Sequence, residues 1–493
     1  MEHSSALFTL IVYAILLVGV GLWSSQRSKT QAAFLLGGRS LGPVVSGVAY
    51  AASSSSAWVL LGFSGFVYSA GISAIWMIPG ILAGYILVWF WAGPVLQRAS
   101  AERGHLTLTS FLADHVDPAS AKAIRITASL MIAFCFSYYV ASQFQGAGLA
   151  FNDLFGTGLA LGVIIGAVII LIYTFLGGLL AVSLIDTLQG ILMAVVAITL
   201  PAIALTEVGG FTALSNAISS AGPTFIDPFG GRIGFIAAGF VVGLVATGFG
   251  TLGQPHLLAW IMATKDRKAR VTGGFVAFSW ALLVFTGMTL LGLSARALFG
   301  DNAPAEGVFF QIAGDFVPPV FAGIIVAATL SAIMSTVDSQ LLVVGAAISE
   351  DIGLSKRFPG RDVLVSRLAI LIVSILAIML TLAMPATIFD RTLFAWTTLG
   401  AAFGPTVVVR VLGLRPSGIA VLASLLLGSG VSVLFEFVLA SGPGAVWART
   451  IPLLMAFIPV LWPAGSRQRI APAIDEVNGD LPASSQLSQQ FIE

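Results

Sequence analysis

Apolar runs of membrane-crossing length follow one another along this chain with little polar sequence between them, and this repetition constrains the fold more than any motif. A helix needs about 20 apolar residues to cross the hydrocarbon layer. Runs of that kind occupy 6–24, 44–66, 72–97, 123–151, 158–180, 184–208, 233–256, 270–298, 317–347, 364–386, 390–413, 417–440 and 444–464. They predict an all-α membrane protein of thirteen spans. Of the 493 residues only 9% are charged, against about a quarter in a soluble domain, so little material remains for soluble domains. The first run lacks the basic front and cleavage site of a signal peptide and reads as a retained span.

Charge placement tests the count. Short loops facing the cytoplasm collect Lys and Arg. With thirteen spans, all but four of the 23 cations fall on one side, the exceptions being Arg232, Arg296, Arg391 and Arg449. A miscounted span would scramble that partition. The expected topology has the N-terminus outside and the C-terminus in the cytoplasm of a plasma membrane, most simply a bacterial inner membrane. The transporter domain is 1–464 and the polar tail 465–493 is expected to be disordered. Residues 99–122 are cytoplasmic, with a short interfacial helix in "LTLTSFLADHV", and 209–232 form an outer loop rich in Gly, Ser and Pro.

Composition also excludes function classes. A net charge of +1 does not suit nucleic acid, which needs a concentrated basic face. Cys135 is the single cysteine and the four histidines have no metal-ligand spacing. No Gly-rich phosphate loop with Lys occurs, which argues against a primary pump. No nucleophile–base set stands out, so the chain is not expected to be an enzyme, and no organic cofactor is implied.

Two spans look broken. The second carries "AASSSSA", whose hydroxyls compete with the helix ladder. The seventh carries "GLVATGFGTLGQPH", with Gly243, Gly248, Gly250, Gly253 and Pro255. Irregular backbone at membrane depth is tolerated where it is protein-buried or lines a cavity. Interrupted spans at matching positions of two inverted repeats point to a transporter's substrate site. The repeats would be spans 2–6 (about 44–208) and 7–11 (about 233–413), with the remaining spans peripheral. The bland alternative is close helix packing, which Gly and Ser also permit.

In the ninth span, Ala332, Ser335, Thr336 and Ser339 share one helical face, with Asp338 beside them. Asp186 lies near the start of the sixth. Oxygen ligands suit a small hard cation, and an intramembrane carboxylate is a functional hypothesis by default. The alternatives are an interhelical hydrogen-bond cluster for the hydroxyls and an interfacial position for Asp186. Glu436 and Asp315, nearer span ends, read as structural, and His256 reads as a cap or packing residue.

"LLGGRSLGP" (35–43), "GGLLAVSLIDTLQ" (177–189), "GQPHLLAWIMA" (253–263) and "MSTVDSQLLV" (334–343), in that order, resemble the sodium:solute symporter family, and its sodium/proline branch most. The resemblance runs from about residue 8 to 465. It implies thirteen helices, a LeuT-like inverted-repeat core and sodium-driven uptake of a small solute. Carried over by position, the main sodium site would be the carbonyls of Ala52, Ser55 and Ala332 and the hydroxyls of Ser335 and Thr336. A second sodium or proton site would take Asp186, Ser335, Asp338 and Ser339. Substrate would meet Ser54, Ser56, Trp58, Tyr139, Thr247, Thr251, Gln254 and Pro255.

Four positions depart from the pattern that the resemblance implies. Ser54 replaces the proline branch's aspartate, Thr247 and Thr251 replace its aromatics, and Asp338 replaces a serine typical of the family. The pocket should therefore be roomier and more polar, for proline or another zwitterion, and Asp338 is expected to supply the charge missing at Ser54. The partners implied are sodium, the solute and the lipid bilayer, with function as a monomer and no nucleic acid. A symporter for a small carboxylate or vitamin such as pantothenate is the nearest rival. A channel, or a transporter-like sensor acting with a separate partner, is a more distant one.

Overall fold

The computed structural model describes residues 12, 13, 15, 19, 36–174, 179–358, 361–384, 386–439 and 444–462. The expected first span falls mostly, and the tail entirely, outside them. Every regular element among the described residues is helical; an isolated bridge joins Leu41 to Thr264. Nine helices there are long and apolar enough to cross a membrane, and Leu159–Ile172 and Ile451–Leu461 are shorter apolar helices.

The helices that build the core are α1 (Pro43–Ala57), α2 (Met77–Ile86), α3 (Pro118–Phe155), α4 (Leu179–Val208), α5 (Gly234–Phe249), α6 (Pro255–Ala263), α7 (Arg267–Phe299), α8 (Pro319–Ala346) and α9 (Ile388–Val411). Polar caps in the loops start several of them. Asp117 accepts from Ser120 N at 2.9 Å before α3, and Asp266 accepts from Ala269 N at 2.8 Å before α7. Each cap satisfies a backbone donor with no intrahelical partner. The helical run Pro43–Arg103 has 61 residues, about 90 Å at 1.5 Å per residue, three times the hydrocarbon thickness. It is interrupted at Gly71, whose φ of 62° only glycine adopts readily, and its length has room for two crossings.

Contacts between loops gather at two ends. At one end Arg39 donates to Ser100 Oγ (3.1 Å) and His105 O (3.2 Å), and Arg410 to Leu112 O (2.8 Å) and Asp114 O (2.5 Å). The expected short helix there is Leu108–Leu112, begun by a Thr107 cap. At the other end Trp76 donates to Pro228 O (2.9 Å), while the Glu306 carboxylate accepts from Ile388 N and Phe389 N (2.9 Å each) at the start of α9. The stretch 209–232 is more ordered than its composition suggests. It contains helices Phe211–Ser220 and Pro223–Ile226, because Leu214 and Ile218, one turn apart, give the first a buried face.

α1 lies at the centre, packed against α7, α8, α4 and α6. All its residues from Ser46 to Ala57 are buried. The apolar window of α8 is 94% buried, whereas that of Val363–Ala383 is 33% buried. A helix enclosed on all sides has no lipid face, so the hydroxyls and carboxylate of α8 point into protein.

Candidate functional site

α1 breaks inside the serine run. Ser56 leaves helical conformation (φ 18°, ψ −168°), and a wide π-helical turn, Trp58–Phe63, follows. The hydrogen bonds around the break show how the ladder is replaced. Ser54 Oγ donates to Ala51 O (2.9 Å), and Trp58 N donates to Ser56 Oγ (3.3 Å). Ala57 N donates to Gln143 Oε1 of α3 (3.1 Å). The Trp58 indole donates to Ser54 O (2.9 Å). A backbone opened in this way is satisfied by side chains rather than by water, as membrane depth requires.

The second break separates α5 from α6. Gly250–Gly253 form a 3-10 turn, Gln254 is extended (φ −88°, ψ 105°), and Pro255 opens α6 at its first position, where its missing N–H costs nothing. Gln254 Nε2 donates to Gly250 O (3.1 Å) and Trp396 O (2.9 Å), and the Trp396 indole donates to Thr247 O (2.8 Å). The breaks adjoin: the Trp58 and Trp396 rings are 6.5 Å apart.

The predicted substrate residues assemble around these two indoles. Tyr139 is fully buried, with its hydroxyl beside Ser56 and Trp58 but in no well-formed hydrogen bond. Thr247, Thr251 and Gln254 lie on the facing segment, also buried. Ser54 shares the layer, yet its hydroxyl is bonded to Tyr85, which sequence reasoning did not single out. Thr251 Oγ1, Gln254 Oε1, Tyr139 OH and Ser55 Oγ all lack partners among the described residues. Each such atom costs about 1–3 kcal/mol, so their concentration at the breaks points to a polar ligand.

The predicted sodium residues meet where α1 crosses α8. Thr336 Oγ1 donates to Ser53 O (2.9 Å), and Ser53 Oγ donates to Ser335 O (2.9 Å). Ser335 Oγ donates to Ala332 O (3.2 Å). These contacts match the packing alternative for the hydroxyls. Asp186 goes beyond it: fully buried in protein, it accepts from Ser53 Oγ (3.3 Å) through one oxygen, while Oδ1 has no partner among the described residues. Asp338, also buried, accepts from Thr174, and lies close enough to Asp186 for the two carboxylates to interact. Ser339 Oγ donates to Thr336 O (2.9 Å). Ser53, Thr174 and Gln143 were missed because spacing along one helix does not reveal which hydroxyl or amide meets it from another.

From the second break a small, partly open cavity runs to the cation-rich end. Pro255 and His256 stand at its inner limit, Ile132, Leu342 and Val343 along its wall, and Thr107 and Asp351 at its mouth. Asp351 closes one side of the mouth by accepting from both Thr107 (3.0 Å) and Thr109.

Known proteins resemble this chain in sequence and in fold. The sequence model of the sodium:solute symporter family matches residues 34–428. The sodium/proline symporter of Escherichia coli is 32% identical over 435 residues, covering 86% of this chain and 85% of that protein. The high-affinity proline transporter PutP of Bacillus subtilis is 31% identical over 419 residues, covering 83% and 88%. Among solved structures, a Na+-coupled sialic acid symporter in a substrate-bound outward-open state superposes with a TM-score of 0.79 at 16% identity, over 94% of this chain and 99% of that one; at that identity the likeness concerns the fold. The family model spans most of the chain and a relative is 32% identical over 86% of it, so the chain belongs to the sodium:solute symporter family.

Proposed function

We propose that the protein couples inward sodium movement to uptake of a small zwitterion, proline foremost, by alternating access across the plasma membrane. The observation that carries this reading is the meeting of two broken helices at buried polar atoms that have no partner among the described residues. Ala52 O, Ser55 O, Ala332 O, Ser335 Oγ and Thr336 Oγ1 form the main sodium site in this reading. All are neutral oxygens, so the ion keeps its charge, and the membrane potential adds about 2.3 kcal/mol per charge per 100 mV. The relatives' proline specificity supports the substrate assignment. The apolar Trp58 and Trp396 faces suit a compact ring, while Tyr139, Thr251 and Gln254 have hydrogen-bonding capacity for its charged ends. The proposed topology places the cation-rich end in the cytoplasm and the Glu306 end outside, with spans 2–6 and 7–11 as inverted repeats.

Purified protein in proteoliposomes should accumulate labelled proline under an inward sodium gradient and lose accumulation when the gradient is collapsed. A panel including other amino acids, small carboxylates and pantothenate identifies the solute if proline is not accumulated. Sodium independence for every solute would overturn the symport reading.

A second carboxylate, Asp338, lies near Asp186. Asp338→Ser should abolish sodium stimulation of uptake if Asp338 supplies the charge absent at Ser54. Unchanged coupling in that variant assigns Asp338 to packing against Thr174.

A further inference from the structure

His256 is the least explained polar residue in the core. It is 1% exposed, in the first turn of α6, and neither ring nitrogen has a hydrogen-bond partner among the described residues. Its ring packs edge-on against Phe136 (5.3 Å between centroids) and Tyr139 (6.2 Å). The packing role expected from the sequence is therefore present, but the capping role is not. Packing alone does not account for an imidazole, since a phenyl ring would fill the same space without two unsatisfied nitrogens.

The ring also borders the small, partly open cavity that leads to the cation-rich end. Of the eight expected substrate residues only Pro255 lines that cavity, and Ser339 of the possible second ion site lines it too, so it meets the substrate layer at one edge. Its wall is largely apolar: Ile132, Leu179, Leu342 and Val343. Polar capacity is concentrated elsewhere. Asp351 at the mouth is an acceptor already engaged by Thr107 and Thr109, and Ser339 donates to backbone carbonyls of its own helix. The imidazole at the inner end thus has an N–H with no partner among the described residues, in a ring that borders a largely apolar cavity.

We propose that this cavity is a second solute subsite on the release path, in which His256 donates a hydrogen bond to the carboxylate of the departing amino acid. A neutral imidazole has one N–H to give, and the carboxylate of the zwitterion is an acceptor for it, while the solute's body apart from its ammonium is apolar. The wall accepts that body and the histidine holds its anionic end until it reaches the mouth. The subsite rests on the symport reading above and adds to it a residue acting on one face of the membrane only.

The test separates the two faces. Initial rates of labelled proline transport are measured in right-side-out and inside-out membrane vesicles for the wild type, His256→Phe and His256→Gln. Phenylalanine keeps the ring packing and removes both nitrogens; glutamine keeps a donor. His256→Phe should raise the cytoplasmic-side KM about tenfold while the external KM and the sodium half-saturation stay within twofold. His256→Gln should recover most of the cytoplasmic KM. A shift of both faces together, a shift of neither, or a shift confined to sodium half-saturation overturns the subsite and leaves symport standing. A wild type that moves no proline in either vesicle overturns the proline reading, and this subsite with it.

Discussion

Replacing Gly248 with alanine is expected to abolish transport and to leave little folded protein in the membrane. A methyl group at this position would overlap the carbonyl oxygen of Gly80, because α5 and α2 cross there backbone against backbone. Neither partner is a flexible side-chain end, so relief requires one helix to move. Overpacking of a close-packed core costs about 1–3 kcal/mol and sometimes more, against total stabilities of about 5–15 kcal/mol. The displacement would also reach Gly250–Gly253, two residues on, and the substrate layer that they position. Gly430, where an added methyl group would enter open space, is the matched control: Gly430→Ala should be neutral or gain up to about 1 kcal/mol of helix propensity. The measurements are folded yield by size-exclusion chromatography and initial uptake rate. Wild-type values for Gly248→Ala would show that the two helices do not need this contact.

Thr336→Val should raise the sodium concentration for half-maximal uptake at least tenfold, a change of about 1.4 kcal/mol. Valine preserves the shape of threonine and removes only the hydroxyl that donates to Ser53 O across the α1–α8 crossing. Two effects then add. The Ser53 carbonyl loses its donor, at about 1–3 kcal/mol, and the proposed ion site loses one of five oxygens. Linkage fixes the companion result, since each ligand must alter the other's binding by the same factor. The apparent proline affinity should fall at low sodium and recover as sodium is raised. Thr336→Ser should stay near wild type. Uptake against sodium concentration decides the matter: an unshifted curve for the valine variant would make the hydroxyl a packing contact alone.

The two breaks were legible in the sequence because they are local chemistry. Four hydroxyls in a row compete with a helix ladder, and clustered glycines before a proline cannot continue one, whatever surrounds them. The hydroxyl face of α8 was legible for a similar reason, as spacings of three and four residues determine it. What the sequence did not carry was the rotation of one helix against another. Gln143 meets Ala57 N from 86 positions away, Thr174 meets Asp338 from 164, and Trp396 meets Thr247 from 149. Such partners depend on which faces the bundle brings together, and no periodicity within a single span encodes that. Ser54 illustrates the limit: its place in the layer was foreseen, but its engagement with Tyr85 was not. In 209–232 an abundance of Gly, Ser and Pro masked the short amphipathic spacing of Leu214 and Ile218.

Each break is also held by an indole N–H donated to a carbonyl just before it, from Trp58 to Ser54 and from Trp396 to Thr247. Indole emission shifts to lower energy as its surroundings become more polar. The protein therefore carries its own optical probes at the two places where the backbone departs from helix. With their rings 6.5 Å apart, the pair would respond together. In a background where the other tryptophans are replaced, the opening of the centre to solvent would be visible as colour, with no dye attached and no cysteine introduced.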